Sequence, residues 1–257
     1  MATLQSERFE LHMPPRHSGA VLDQDEEWCE VVRNGERQRI RLHDYAEIYN
    51  VPGLYEQLFA ERLKCASPEV VCDLLSDELK AAGDGPAAMS VLDFGAGNGM
   101  IGELLQKTGF GTIVGVDLLP EARAAALRDR PGIYEDYRVL DLTAPHPVER
   151  VMLERRDFDC MVCVAALGFG DVPMLAFAEA FNLVASPGWL AFNVRDKILE
   201  EEADGFGGLI GRMCDEGVVE ECARRQYTHR VSIAGEPLDY VAIVATKQRD
   251  IPLDWVR

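Results

Sequence analysis

Along this chain the spacing of apolar residues changes character near Ser90. From there on, short apolar runs alternate with stretches in which apolar positions recur every three or four residues. The runs predict strands at Ser90 to Phe94, Thr112 to Val116, Tyr137 to Leu140, Asp159 to Val164 and Trp189 to Val194. The longer repeats predict helices at Met100 to Thr108, Pro120 to Asp129, Pro147 to Arg155 and Val172 to Ala185. Strands alternating with helices of about ten residues imply an α/β fold, with a mostly parallel sheet covered on both faces. After a helical stretch at Gly207 to Glu216, the runs RRQYTHRVSI and DYVAIVATKQ flank Gly235-Glu236-Pro237 and predict an antiparallel hairpin at one sheet edge.

The first 85 residues follow another pattern. Asn34-Gly35 lies between two strand-like runs from Trp28 to Leu42, and a two-residue turn there sets Arg33 opposite Glu36 and Glu30 opposite Arg39. HDYAEIYNVPGLYEQLFAERL then reads as helix interrupted at Pro52-Gly53. Ser67-Pro68 opens a further helix with a capping side chain, Gly83 closes it, and Val70, Val71, Leu74, Leu75 and Leu79 form its apolar stripe. The expected division is residues 1–85 as hairpin and helical lid, and residues 86–257 as the core.

Composition narrows the function. The chain has 257 residues, 47% hydrophobic and 27% charged, and a net charge of −18. Such a surface repels polyanions, so nucleic acid and anionic membranes are not the expected partners. No stretch reaches the roughly 20 apolar residues of a membrane helix, and the expected location is cytoplasmic. The sequence leaves a homodimer open. Seven cysteines without regular spacing predict reduced thiols. Cys160 and Cys163 lie three apart on a predicted strand and so point to opposite faces, which excludes a shared metal. His12, His17, His43, His146 and His229 lack metal-ligand spacing and read as surface residues, and the acidic run within Asp196 to Asp204 reads as a solvated helix face.

The chemistry concentrates in Asp93-Phe94-Gly95-Ala96-Gly97-Asn98-Gly99, an apolar strand end running through glycines into a helix. Two fingerprints fit: G-x-G-x-G through Gly95, Gly97 and Gly99, and the dinucleotide form G-x-G-x-x-G through Gly97, Gly99 and Gly102. Asp93 inside the strand suits a ligand with an ammonium group. Asp117 ends the next strand, where a carboxylate can accept from both ribose hydroxyls of either ligand, and Leu118 follows it. Asp141 ends the third strand and can hold an adenine amino group while Leu142 covers the ring. Three acids at successive strand ends converge on one sheet edge; the alternative for each is a turn-capping Asp.

VLDFGAGNG, GVDLLPEA, VLDL, FDCMVCVAALGFGDVP and LVASPGWLAFNV, in that order, resemble the motifs of class I methyltransferases that use S-adenosylmethionine (SAM), over residues 90–194. The resemblance is greatest to small-molecule methyltransferases such as those of quinone biosynthesis, and the hairpin at Trp28 to Leu42 lies outside it. It implies a Rossmann-like doubly wound sheet and SAM as cofactor. It also implies that Gly95 to Gly97 pass beneath the methionine moiety, Asp117 holds the ribose, Asp141-Leu142 meets adenine and a carbonyl near Val164 meets the ligand's amino group. No general base is evident. Val164-Ala165-Ala166-Leu167-Gly168 stands where many DNA and protein amine methyltransferases carry N/D-P-P-[FY/W], which argues against nucleobase amine chemistry. Candidate acceptor contacts are Tyr45 and Tyr49, which share a helix face as Tyr55 and Phe59 do, and Asn193 and Arg195 at the end of the fifth strand. A nicotinamide-dependent oxidoreductase and a non-catalytic SAM-binding partner protein are the alternative readings.

Overall fold

The computed structural model describes residues 9–14, 26–167, 171–201 and 205–257. His17, Gly168 and the end of the acidic run at 202–204 lie outside them. The chain divides into two compact units, residues 67–227 with 239–257, and residues 1–66 with 228–238.

The larger unit holds a seven-stranded sheet. Its strands are β4 (Ser90–Phe94), β5 (Thr112–Asp117), β6 (Asp136–Val139), β7 (Phe158–Cys163), β8 (Val184–Arg195), β9 (Val219–Val231) and β10 (Pro237–Lys247), in the order β6-β5-β4-β7-β8-β10-β9. Pairing is parallel from β6 to β8, and β10 runs antiparallel to β8 with Tyr240 opposite Arg195 and Lys247 opposite Gly188. Between the strands lie α3 (Met100–Thr108), α4 (Pro120–Asp129), α5 (Pro147–Glu154), α6 (Met174–Asn182), α7 (Asp196–Glu201) and α8 (Phe206–Asp215).

Burial on both faces explains why the strands read as unbroken apolar runs. Leu92, Val114, Met161, Leu190 and Ile243 belong to one core cluster, whereas Val91, Ile113, Cys160, Ala191 and Val244 belong to the other. The period of two assigns Cys163 to the first cluster and Cys160 to the second, both fully buried. Helix α2 (Ser67–Ala82) lays Val71, Leu74, Leu75 and Leu79 on the second cluster, so it belongs to the core unit. The Ser67 hydroxyl, expected as a helix cap, lies 2.6 Å from Tyr227 Oη and accepts from Asn193 Nδ2 at 2.9 Å. Buried Lys247 donates to the carbonyls of Phe181 and Asn182 at the open end of α6 and to that of Val184 at the start of β8.

Strand β8 starts five residues earlier than its apolar run, and α6 ends correspondingly sooner, because Val184 already pairs with Phe158. Among the described residues, no helix is long and apolar enough to cross a membrane.

The smaller unit contains the sheet β1 (Glu10–His12), β2 (Trp28–Arg33) and β3 (Glu36–Arg41), then α1 (Tyr45–Tyr49) and a π-helical turn at Glu56–Arg62. Asn34 and Gly35 take φ of 52° and 81°, and the register places Arg33 opposite Glu36 and Glu30 opposite Arg39, as the turn requires. Strand β1 has too few residues for an alternating pattern to show. Tyr45, Tyr49, Tyr55 and Phe59 stack on one another at centroid distances of 4.7–6.2 Å.

The tip of the β9–β10 hairpin joins this unit through a buried ion pair, Arg230 to Glu27 at 2.6 Å, whose second carboxylate oxygen accepts from the Ile233 amide at 2.6 Å. His229 corrects the expectation of a surface histidine: it is buried with Nδ1 3.7 Å from Cys65 Sγ, and burial drives its pKa down to about 3.

Candidate active site

Strands β6, β5 and β4 are neighbours, so Asp141, Asp117 and Asp93 fall along the carboxyl edge of one parallel sheet. At the end of β4 the chain must turn beneath that edge and enter α3. Gly95, Gly97 and Gly99 take φ of 75°, 53° and 85°, the left-handed region that a Cβ disfavours.

The loop is tied down from several sides. The amides of Gly95 and Ala96 donate to the Val116 carbonyl, and the Gly97 amide donates to Asp117 Oδ2 at 2.9 Å. The Gly97 carbonyl accepts from Tyr137 Oη at 2.7 Å and the Asn98 carbonyl from Arg130 at 3.2 Å. A loop held this way is built before any ligand arrives, which lowers the ordering cost of binding.

Asp93 is buried. Its Oδ2 accepts from Tyr134 Oη at 2.6 Å, while Oδ1 has no hydrogen-bond partner among the described residues. Burial, with the Asp117 charge adding to it, pushes the carboxyl up to about 7, against the Tyr134 hydroxyl and the Gly102 amide, which lower it. An orphaned buried acceptor of this kind is expensive unless a donor or cation is supplied.

Asp117 has a second duty that the sequence did not reveal. Besides Gly97 it accepts from the Leu119 amide at 2.9 Å through Oδ1, so one carboxylate fixes both the glycine loop and the turn after β5. Burial raises its pKa, and the amide donors act in the opposite direction. Leu118 beside it is 59% exposed, an apolar surface at the strand end.

Asp141 behaves differently from the other two acids. It is exposed, and its Oδ1 accepts from both the amide and the hydroxyl of Thr143, a turn that pulls its pKa down. Leu142 is buried in the larger core cluster.

Beyond β7, Val164 is buried and Ala165 sits at φ 57°, unusual for a residue with a Cβ. Its amide donates to Asn193 Oδ1 at 2.7 Å, and Asn193 Nδ2 donates to Ser67 and to Tyr227 at 2.9 and 2.8 Å. Asn193 is thus fully buried and shapes the turn after β7, whereas Arg195 lies half-buried at the last position of β8. Tyr45 and Tyr49 belong to the aromatic cluster of the smaller unit.

Tyr134, Tyr137, Arg130 and Tyr227 escaped the sequence reading. Gly102 in a helix and Gly115 in a strand were the available signals, since such glycines mark close approach of another group. Among the described residues, no three His, Cys, Asp or Glu side chains form a metal-holding group.

A family model described as a methyltransferase domain matches residues 63–224, and the chain belongs to that family. It is a class I SAM-dependent methyltransferase, which overturns the dinucleotide reading of the glycine loop. No curated protein matches the chain.

Solved structures share the fold. A Pyrococcus horikoshii protein described as an RNA methyltransferase is 15% identical, with 72% of this chain and 87% of that chain covered and a TM-score of 0.52. Thermoplasma acidophilum 1320 is 15% identical over 68% of this chain and 88% of that one, at a TM-score of 0.50. Magnesium protoporphyrin IX methyltransferase from Synechocystis, with bound SAM, is 14% identical over 70% and 79%, at 0.49. The residues present fit SAM: an anionic orphan acceptor, a glycine cradle and a strand-end carboxylate with an exposed leucine beside it.

Proposed function

We propose that the chain transfers the methyl group of SAM to a small-molecule acceptor. The observation that carries this reading is the end of β7. Val164, Ala165, Ala166 and Leu167 are apolar, with Val164 and Leu167 buried, where amine methyltransferases of nucleic acids and proteins carry a polar grip. The net charge of −18 supports it, because a polyanionic acceptor would approach against that field.

SAM supplies an activated methyl group on a sulfonium. The chain's own residues then have to bind, orient and exclude water. Asp93 provides the negative charge for the ammonium group, together with the Val164 carbonyl, and Gly95 to Gly97 allow close approach of the methionine part. Asp117 accepts from the ribose hydroxyls with the lone pairs left by Gly97 and Leu119, while Leu118, Asp141 and Leu142 serve the adenine. Asn193 acts through the Ala165 turn, and Arg195 is the proposed acceptor contact of the larger unit. Holding the acceptor in line contributes several kcal/mol as proximity alone, and a general base is needed only where the acceptor must lose a proton first.

The test is incubation of the full chain with methyl-labelled SAM and, separately, a metabolite extract, total RNA and a protein extract. Label in the low-mass fraction alone is expected. Label in RNA or protein would overturn the small-molecule reading, and SAM binding with no label in any fraction would favour a SAM-binding partner protein.

A further inference from the structure

Two tyrosines, Tyr134 before β6 and Tyr137 within it, reach Asp93 and the glycine loop with their hydroxyls. Tyr134 occupies space that three other positions leave empty. A Cβ on Gly102 would lie 2.6 Å from its Cζ, one on Gly99 would lie 3.1 Å from its Cε2, and one on Gly115 would lie 3.0 Å from its Cε1. Glycines of the loop, of α3 and of β5 thus make room for this ring, and Gly115 also for that of Tyr137, whose Cδ2 would lie 2.9 Å from a Cβ there. The Tyr134 ring meets Tyr137 edge-on at 5.1 Å, and the two hydroxyls reach different parts of the cofactor cradle, Asp93 Oδ2 and the Gly97 carbonyl.

We propose that Tyr134 is a positioning residue for the cofactor: its hydroxyl occupies Asp93 Oδ2 and keeps the carboxylate ionised, leaving Oδ1 as the oxygen available to the ammonium group of SAM. The inference rests on the assignment of Asp93 to that ammonium.

A hydrogen bond to the charged form of a buried acid favours ionisation, and burial opposes it. For Asp93 burial is the larger effect and brings the carboxyl to about 7, so the Tyr134 bond acts where a small shift changes the charge at neutral pH. The groups facing Asp93 are Tyr134 from the loop, Tyr137 from β6, Asp117 from β5, Cys72 from α2, Cys163 from β7 and the Gly102 amide of α3. Burial drives both thiols and both tyrosines upward, which leaves them neutral between pH 6 and 8. Asp117 is the other charge, and it raises Asp93 further.

The experiment is calorimetric titration of the full chain with SAM from pH 6 to 7.5, where an α-amino group stays mostly protonated. Wild-type affinity should fall as the pH drops below about 7, because the carboxyl gains a proton and loses its attraction for the ammonium. In Tyr134→Phe the fall should begin at higher pH, with binding about tenfold weaker at pH 7.5, the scale of one lost hydrogen bond to a charged group. Gly102→Ala keeps the hydroxyl but drives a methyl group into the ring, and it should copy Tyr134→Phe. It carries the test by itself if Tyr134→Phe fails to fold. Wild-type affinity and pH profile in both variants would overturn the proposal. So would a uniform loss with an unchanged profile, which would make Tyr134 a packing residue. Failure of the underlying assignment looks different: Asp93→Asn would then bind SAM like the wild type.

Discussion

Asp117→Asn separates the two duties of this carboxylate. The substitution keeps the shape of the side chain, but an amide has one acceptor oxygen where the carboxylate has two. Both oxygens are in use, Oδ2 by the Gly97 amide and Oδ1 by the Leu119 amide, each at 2.9 Å. Whichever way the new side chain settles, its NH2 group faces a backbone N–H, and one donor in a largely buried place goes unsatisfied. That costs about 1–3 kcal/mol, or roughly 2–12 °C in Tm for a domain of this size. The ribose hydroxyls would in addition meet a neutral acceptor, and losing a charge-assisted bond of about 1.5–3 kcal/mol weakens SAM binding by roughly 10- to 150-fold. Thermal unfolding of the ligand-free chain reads the first effect, and calorimetry with S-adenosylhomocysteine reads both. A normal Tm with weakened binding would show that the brace on the glycine loop is idle. An unchanged Tm together with an unchanged Kd would refute the role of Asp117 altogether.

Three further outcomes are expected. Lys247→Met removes a charged donor from the Phe181 and Asn182 carbonyls at the end of α6 and from the Val184 carbonyl at the start of β8, so urea unfolding should show a loss of at least about 2 kcal/mol; a loss under about 0.5 kcal/mol would contradict that bridging role. His229 is held neutral, its pKa lowered from 6.5 to about 3, so between those values the unfolded chain binds a proton that the folded chain does not. Stability should therefore fall on acidification by up to about 1.4 kcal/mol per pH unit, and His229→Gln should flatten the profile between pH 6.5 and 4.5; an unflattened profile would show that other groups set it. Asp93→Asn has the opposite sign. The folded pKa is raised from 3.8 to about 7, so ionising Asp93 destabilises the ligand-free fold by roughly 4 kcal/mol at pH 8. The asparagine variant should be the more stable protein at pH 8 while binding SAM weakly, and a destabilised variant would show that Asp93 is already compensated.

What the sequence made legible were features encoded by neighbours in the chain. Asn34-Gly35 sets the register of its hairpin because the turn requires positive φ at both residues, and a run buried on both faces announces a parallel strand. Asp93, the glycines and Asp117 were readable for the same reason, each tied to a strand end. Contacts between distant segments were not. Tyr134 lies in Arg130-Pro131-Gly132-Ile133-Tyr134, a loop with no periodicity, and reaches Asp93 41 residues away. The Ser67, Asn193 and Tyr227 network joins α2, β8 and β9. The burial of His229 depends on the tip of the β9–β10 hairpin joining the N-terminal unit through Glu27 and Arg230, a pairing of residues 203 positions apart. Asp141 shows the converse: its place at a strand end was legible, but the hydrogen bonds that make it a turn with Thr143 involve a residue type that serves either role.

Calorimetric titration of the full chain with SAM, S-adenosylhomocysteine and NAD(H), side by side at pH 7.5, tests the central claim most directly. The site described here predicts one equivalent of SAM or S-adenosylhomocysteine bound per chain and no heat from either nicotinamide nucleotide. Saturable binding of NAD(H) with no response to SAM would contradict it.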